Sequence, residues 1–123
     1  GVFDLGDLFY RADRFKKPFT SLKTHKIDKN MAWCNDVNHK NYNKLIKIDK
    51  NIGYEKLFRK DYKYDFLLVI KYNYNKTIPK KGSAIFIHLT KNYKPTQGCI
   101  ALKKNDLLVL LKLIKPKTKI KIC

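Results

Sequence analysis

The chain has 123 residues, 44% apolar and 13% aromatic, which suits one domain with a packed core and argues against a disordered tail or a second domain. Its formal charge of +18 makes any partner met by long-range attraction anionic, whether nucleic acid, acidic lipid or a wall polymer. The 25 Lys against 3 Arg, beside many Asn, Ile and Tyr, also fit an AT-rich coding sequence, so charge by itself selects no ligand.

In chain order, "FDLGDLFYRADRF" reads as a strand and turn around Gly6, followed by a polar stretch to Asn30 with His25 in a Lys-rich turn. Residues 31–43, "MAWCNDVNHKNYN", are rich in Asn and Asp, whose side chains bond to nearby backbone, and read as a long loop with Cys34 beside Trp33 as a packed anchor. "YDFLLVIKY" (64–72) is dense in β-branched and aromatic residues and predicts a buried central strand. "GSAIFIHLT" (82–90) predicts another, and "CIAL" a short strand after the turn at residues 95–98. "NDLLVLLKLI" (105–114) predicts a helix capped by Asn105 and stopped by Pro116, and "TKIKI" (118–122) alternates as an edge strand should. The expected fold is mainly β with one helix near the C-terminus.

No apolar run approaches the roughly 20 residues of a spanning helix, so no transmembrane segment is expected, and no signal peptide is visible. The opening "GVF" reads as the inside of a domain, which predicts strands ahead of Gly1. Cys34, Cys99 and Cys123 are too few for a disulfide framework and leave at least one thiol free in a monomer. A Cys34–Cys123 pair is the closure that spares Cys99.

Cys99 follows His88 by eleven residues. A thiol with an ordinary pKa of about 8.5 is mostly protonated at neutral pH and needs a base to become a nucleophile. Adjacent strands, one ending at His88 and the other starting at Cys99, bring that base within reach. Gly98 permits a turn and a close substrate approach that a Cβ resists, and the amides of Gly98 and Cys99 can receive a tetrahedral oxyanion. Against this stands a plainer reading, in which His88 is a satisfied core residue and Cys99 a buried thiol. Spacing leaves both open.

At these residues the sequence resembles the L,D-transpeptidase (YkuD-like) catalytic domain. That family's signature is a His near a strand end, then Ser or Thr, any residue, Gly, Cys and a branched apolar residue; Thr96, Gln97, Gly98, Cys99 and Ile100 stand in that order here. "FYRADR", "WCND", "YN" at 42 and 43, "YEKLFRKDYKYD", "GSAIFIHL" and "PKTKIKI" extend the likeness over nearly the whole chain, starting part-way into the pattern. The resemblance implies a β-sandwich covering residues 1–123 that lacks its first strands, and cysteine acyl transfer on peptidoglycan stem peptides. Cys99 is then the nucleophile, His88 the base, and Gly98 part of the oxyanion site. Thr96, Gln97 and Arg59 become substrate-binding candidates; Arg11 and Arg14 are further candidates for a substrate carboxylate, although for each arginine a surface salt bridge is the plainer role. The product is a 3,3 cross-link, or a trimmed stem if water resolves the thioester, in the service of cell wall biogenesis and cell shape. The resemblance implies no metal or organic cofactor and a place in the bacterial cell envelope or periplasm; the oligomeric state is left open, with a monomer favoured.

The sequence departs from the family at two points: the loop between His88 and Cys99 has only ten residues, and Ala101 stands where an Arg commonly follows the cysteine. Both features also suit an inactive binder. A basic nucleic-acid module is the rival from another class, with Tyr72 and Tyr74 of "KYNYNK" as stacking platforms, although the Lys are dispersed and period-two Tyr is more often strand packing. A Cys34–His39 metal pair lacks a second pair at suitable spacing.

Overall fold

Five consecutive apolar residues, Phe66–Ile70, are all buried, and period-two alternation sends Phe66, Leu68 and Ile70 to one core and Leu67 and Val69 to another. A strand buried on both faces needs a layer on each side. The structure, a computed structural model, describes residues 1–90 and 99–122 and supplies both layers.

In chain order the elements are β1 (Val2–Tyr10), β2 (Thr24–Lys26), β3 (Met31–Cys34), β4 (Leu45–Lys47), β5 (Tyr54–Lys56), β6 (Phe66–Ile70), β7 (Phe86–Leu89), β8 (Ile100–Leu102), α1 (Lys104–Leu113) and β9 (Lys119–Lys121). The main sheet runs β2-β1-β6-β7-β8, with β9 antiparallel to the first residues of β1; β3 lies between β4 and β5 in a second sheet. On one face of the main sheet, Leu107, Leu111 and Ile114 of the α1 region pack on Leu8, Leu68 and Ile87. On the other, Trp33 of the second sheet packs among Phe9, Leu67, Val69 and Phe86. Among the described residues the fold is therefore mainly β, a two-sheet sandwich with one short helix near the C-terminus.

β1 changes register against β6 between Leu5 and Leu8. Gly6 sits in that irregularity because a Cβ there would meet Val69 Cβ at 3.0 Å.

Three local expectations are corrected. Residues 31–43 are not one loop: Ala32, Trp33 and Cys34 are buried in β3, so apolar burial outweighs the turn-forming residues, which act only from Asn35 onward. His25 belongs to β2, stacked on Phe9 with centroids 4.8 Å apart and 2.7 Å from Asp7. The helix cap is Lys103, which makes no side-chain capping bond, and Asn105 lies inside the first turn. The strands over 64–72, 82–90 and 118–122 form as expected, each shorter than its apolar pattern.

Candidate active site

β7 and β8 run parallel with Ile87 opposite Ile100, His88 opposite Ala101 and Leu89 opposite Leu102. Continued one residue back, this register sets Cys99 beside Phe86. Side chains alternate, so Ile87 and Leu89 enter the helix-side core, while Phe86 and Cys99 belong to the core beneath the second sheet. His88 shares the Phe86 face, and its ring meets Tyr64 edge-on at 5.9 Å between centroids. His88 and Cys99 thus stand on one face of adjoining strands, offset by two residues, or about 7 Å along the strand direction.

His88 is 3% exposed. Its Nδ1 lies 3.0 Å from the Leu89 carbonyl, which can only accept, so in the neutral ring Nδ1 carries the proton and Nε2 a lone pair. Nε2 is buried and has no hydrogen-bond partner among the described residues. Burial lowers the imidazole pKa from its ordinary value, partly countered by the Leu89 bond, and Lys63 pushes it the same way as burial. The ring is held neutral with its basic nitrogen unoccupied.

Cys99 is half-buried, and its Sγ donates to the Ala84 carbonyl at 3.3 Å. Burial raises the thiol pKa, while the Phe86 backbone bond and the Lys63 charge favour the thiolate. The resting sulfur is therefore a thiol that requires a base.

Ala84 is held in a left-handed conformation, φ 56°, which is costly for a residue with a Cβ. Its amide donates to Asn43 Oδ1 at 3.0 Å. The same oxygen accepts from Trp33 Nε1 at 2.8 Å, and Asn43 Nδ2 donates to the carbonyls of Tyr72 (2.9 Å) and Asn73 (2.7 Å). One buried amide, itself at φ 60°, thereby ties the second sheet to the segment that carries the sulfur's acceptor.

Around the pair, Tyr64 donates its hydroxyl to Glu55, and burial followed by that bond raises the phenol pKa strongly. Arg59 and Lys63 each lie 5.3 Å from the Tyr64 ring centre. The Lys63 carbonyl accepts from the Leu89 amide at 3.0 Å, fixing that residue to the end of β7.

The arginines divide. Arg59 pairs two-pronged with Asp61 (2.8 and 2.6 Å) and stands beside the site. Arg11 and Arg14 serve the fold instead. Arg11 is buried rather than a surface residue, forked onto Asp13 (2.8 and 2.7 Å), bonded to the Arg59 carbonyl (2.6 Å) and stacked on Phe58 at 3.6 Å. Arg14 joins Asp65 (2.7 Å) to the carbonyls of Asp61 and Lys60. Thr96, Gln97 and Gly98, and Cys123 with them, lie outside the described residues. Ala101 lies beside His88, so the missing Arg leaves a small side chain next to the imidazole.

Sequence reasoning overlooked Tyr64, Lys63, Glu55, Asn43 and Ala84. Glu55 carried a signal, as the chain's sole Glu among 25 Lys. Tyr64 did not, since it opens an apolar strand pattern. The hollow bounded by Phe15, Asp65, Leu89 and Lys104 lies on the helix side of the sheet, away from Cys99.

The competing constellations come apart. Tyr72 packs edge-on against Phe3 (5.4 Å) and donates to the Lys81 carbonyl (2.8 Å), while Tyr74 stacks near Trp33, so neither ring is offered to a base. Cys34 is fully buried, whereas His39 Nδ1 accepts from the Asn41 amide at 3.1 Å. Among the described residues no three His, Cys, Asp or Glu gather as metal ligands, and no helix is long and apolar enough to cross a membrane.

No curated protein and no solved structure matches the chain significantly. A family model does: YkuD, the L,D-transpeptidase catalytic domain, over residues 1–122. A match of that extent, on a mainly β sandwich that sets His88 and Cys99 on one face, makes the chain a member of the L,D-transpeptidase catalytic domain family.

Proposed function

We propose that this protein is a cysteine L,D-transpeptidase that forms 3,3 cross-links between peptidoglycan stem peptides through a thioester on Cys99. The observation that carries the reading is His88 Nε2: a neutral, buried nitrogen with no partner among the described residues, on the sheet face that bears the thiol. A buried polar atom without a partner is costly, and catalysis is a reason to retain one.

In this scheme Nε2 takes the Cys99 proton as the sulfur attacks the carbonyl of the third stem residue. Rotation of the Cys99 side chain away from Ala84 closes the remaining gap, as such bonds often tighten only with substrate bound. Collapse of the tetrahedral intermediate breaks the peptide bond, and the imidazolium returns the proton to the departing D-alanine amine. An amine from a second stem attacks the thioester, loses its proton to His88, and releases Cys99 as the thiol. The Gly98 and Cys99 amides are assigned the oxyanion, and Thr96 and Gln97 are assigned to substrate binding. Arg59 and Lys63, beside Tyr64, attract the terminal carboxylate of the donor, a role Ala101 cannot fill. With this activity goes a site of action in the bacterial cell envelope or periplasm, on stem peptides rather than on nucleic acid, by a monomer.

Stem tetrapeptides incubated with the protein and weighed give the test. A cross-linked dimer supports the proposal; a tripeptide means that water resolves the thioester and the protein is an L,D-carboxypeptidase. Unchanged substrate, with no carbapenem adduct on Cys99 in folded protein, overturns both and leaves an inactive binder.

A further inference from the structure

The helix α1 has two different faces. Leu107, Leu111 and Ile114 at its inner side are buried, whereas Val109 and Leu113, one turn apart, are 55% and 71% exposed. Residues 15–21 run alongside: Lys104 Nζ lies 5.1 Å over the Phe15 ring at one end, and Ser21 Oγ donates to the Ile114 carbonyl at 3.1 Å at the other. Between these ties Pro18 is buried and Phe19 is 84% exposed, so the proline anchors the segment while the phenylalanine stands out into solvent. One exposed apolar side chain is ordinary; two on the outer side of α1 and a third on the segment tied to both ends of that helix mark a candidate interaction site.

The charge around the strip is one-sided. Residues 103–122 carry seven Lys and one Asp, and residues 15–23 carry three Lys and no acid. Lys16, Lys17, Lys112, Lys115 and Lys117 are all exposed.

We infer that the outer side of α1 with the adjoining residues 16–20 is a peripheral docking surface for an anionic lipid bilayer. Phe19, Val109 and Leu113 enter the headgroup region while the surrounding lysines meet the lipid phosphates. A soluble polyanion would use the lysines and leave the apolar side chains without a role; a bilayer uses both. The geometry has a functional corollary. α1 covers one face of the main sheet, and Cys99 belongs to the other, so a protein seated through α1 turns its thiol away from the lipid. The inference is independent of the chemistry at Cys99.

Cosedimentation with vesicles of equal parts phosphatidylglycerol and phosphatidylcholine, against phosphatidylcholine alone, tests it at physiological ionic strength. Binding to the anionic vesicles only is expected. Phe19→Ser with Leu113→Ser, both at exposed positions, should weaken it about tenfold with an unchanged thermal midpoint. Lys112→Glu with Lys115→Glu should weaken it far more than Lys47→Glu with Lys50→Glu, an equal charge change on and beside the second sheet. In Phe19→Trp, the new indole emission should shift to the blue on vesicle addition. Absence of binding, equal losses from the two lysine pairs, or wild-type binding by the serine variant each overturns the inference, the last leaving only a general attraction to polyanions.

Discussion

His88 and Cys99 share one face of adjoining parallel strands, and Tyr64 adjoins both: its ring packs edge-on against the imidazole and belongs to the core cluster against which Cys99 packs. The pair is a neutral base and a neutral thiol rather than a resting imidazolium and thiolate, because burial moves the two pKa values in opposite directions.

Alkylation of Cys99 by iodoacetamide should therefore be slow at neutral pH and keep rising above the pH at which an exposed cysteine has levelled off. Peptide mass mapping across a pH series reads it. Cys34, fully buried, is the internal control and should remain unmodified until the protein unfolds. A Cys99 rate that saturates near neutrality would place a thiolate at rest and sink the neutral-pair account.

His88→Gln keeps a donor for the Leu89 carbonyl and removes the basic nitrogen. Carbapenem acylation of Cys99 should fall by about 10²–10⁴-fold while the fold persists. Acylation within a few-fold of the parent protein would remove His88 from the mechanism.

The depressed His88 pKa also predicts how stability responds to acid. The unfolded chain binds the imidazole proton more readily than the folded one, so the contribution is complete above the ordinary histidine value and is lost as pH falls below it. Chemical denaturation of the parent and of His88→Gln should show the parent losing more stability between neutral and mildly acidic pH. Parallel losses would contradict the assignment.

Asn43→Ala removes four hydrogen bonds at once and strands the Trp33 indole and the Ala84 amide. A loss of about 3–5 kcal/mol in denaturant unfolding is expected. Because Ala84 holds the Cys99 sulfur, acylation should slow even below the midpoint of unfolding. A loss under about 1 kcal/mol would mean that other contacts set the Ala84 conformation.

Arg11→Ala should cost about 2–3 kcal/mol and leave acylation per folded molecule nearly unchanged, since its guanidinium is spent on Asp13, the Arg59 carbonyl and Phe58. Thermal melting with activity normalised to folded protein separates the two. A selective loss of substrate affinity would instead return Arg11 to the substrate.

The strands over 64–72 and 82–90, the helix after residue 103 and the likeness around Cys99 were legible because each depends on local pattern: apolar runs, period-two or helical spacing, and an ordered short motif. Residues 31–34 misled because their polar successors outnumbered the four apolar residues that decide burial. Arg11 and Arg59 looked alike in sequence, yet one is enclosed against Phe58 and the other stands beside Tyr64; only contacts between distant segments distinguish them.

By itself the sequence determined that the protein builds a β core, where β1 and β6 to β9 fall, and that a thiol and an imidazole lie one short loop apart. Tertiary structure decided that parallel pairing of β7 with β8 puts both groups on the same face, that Leu89 fixes the tautomer, and that Asn43 and Ala84 seat the sulfur. The physical reason is that register, burial and hydrogen-bond closure depend on residues far apart in the chain, which no local pattern encodes.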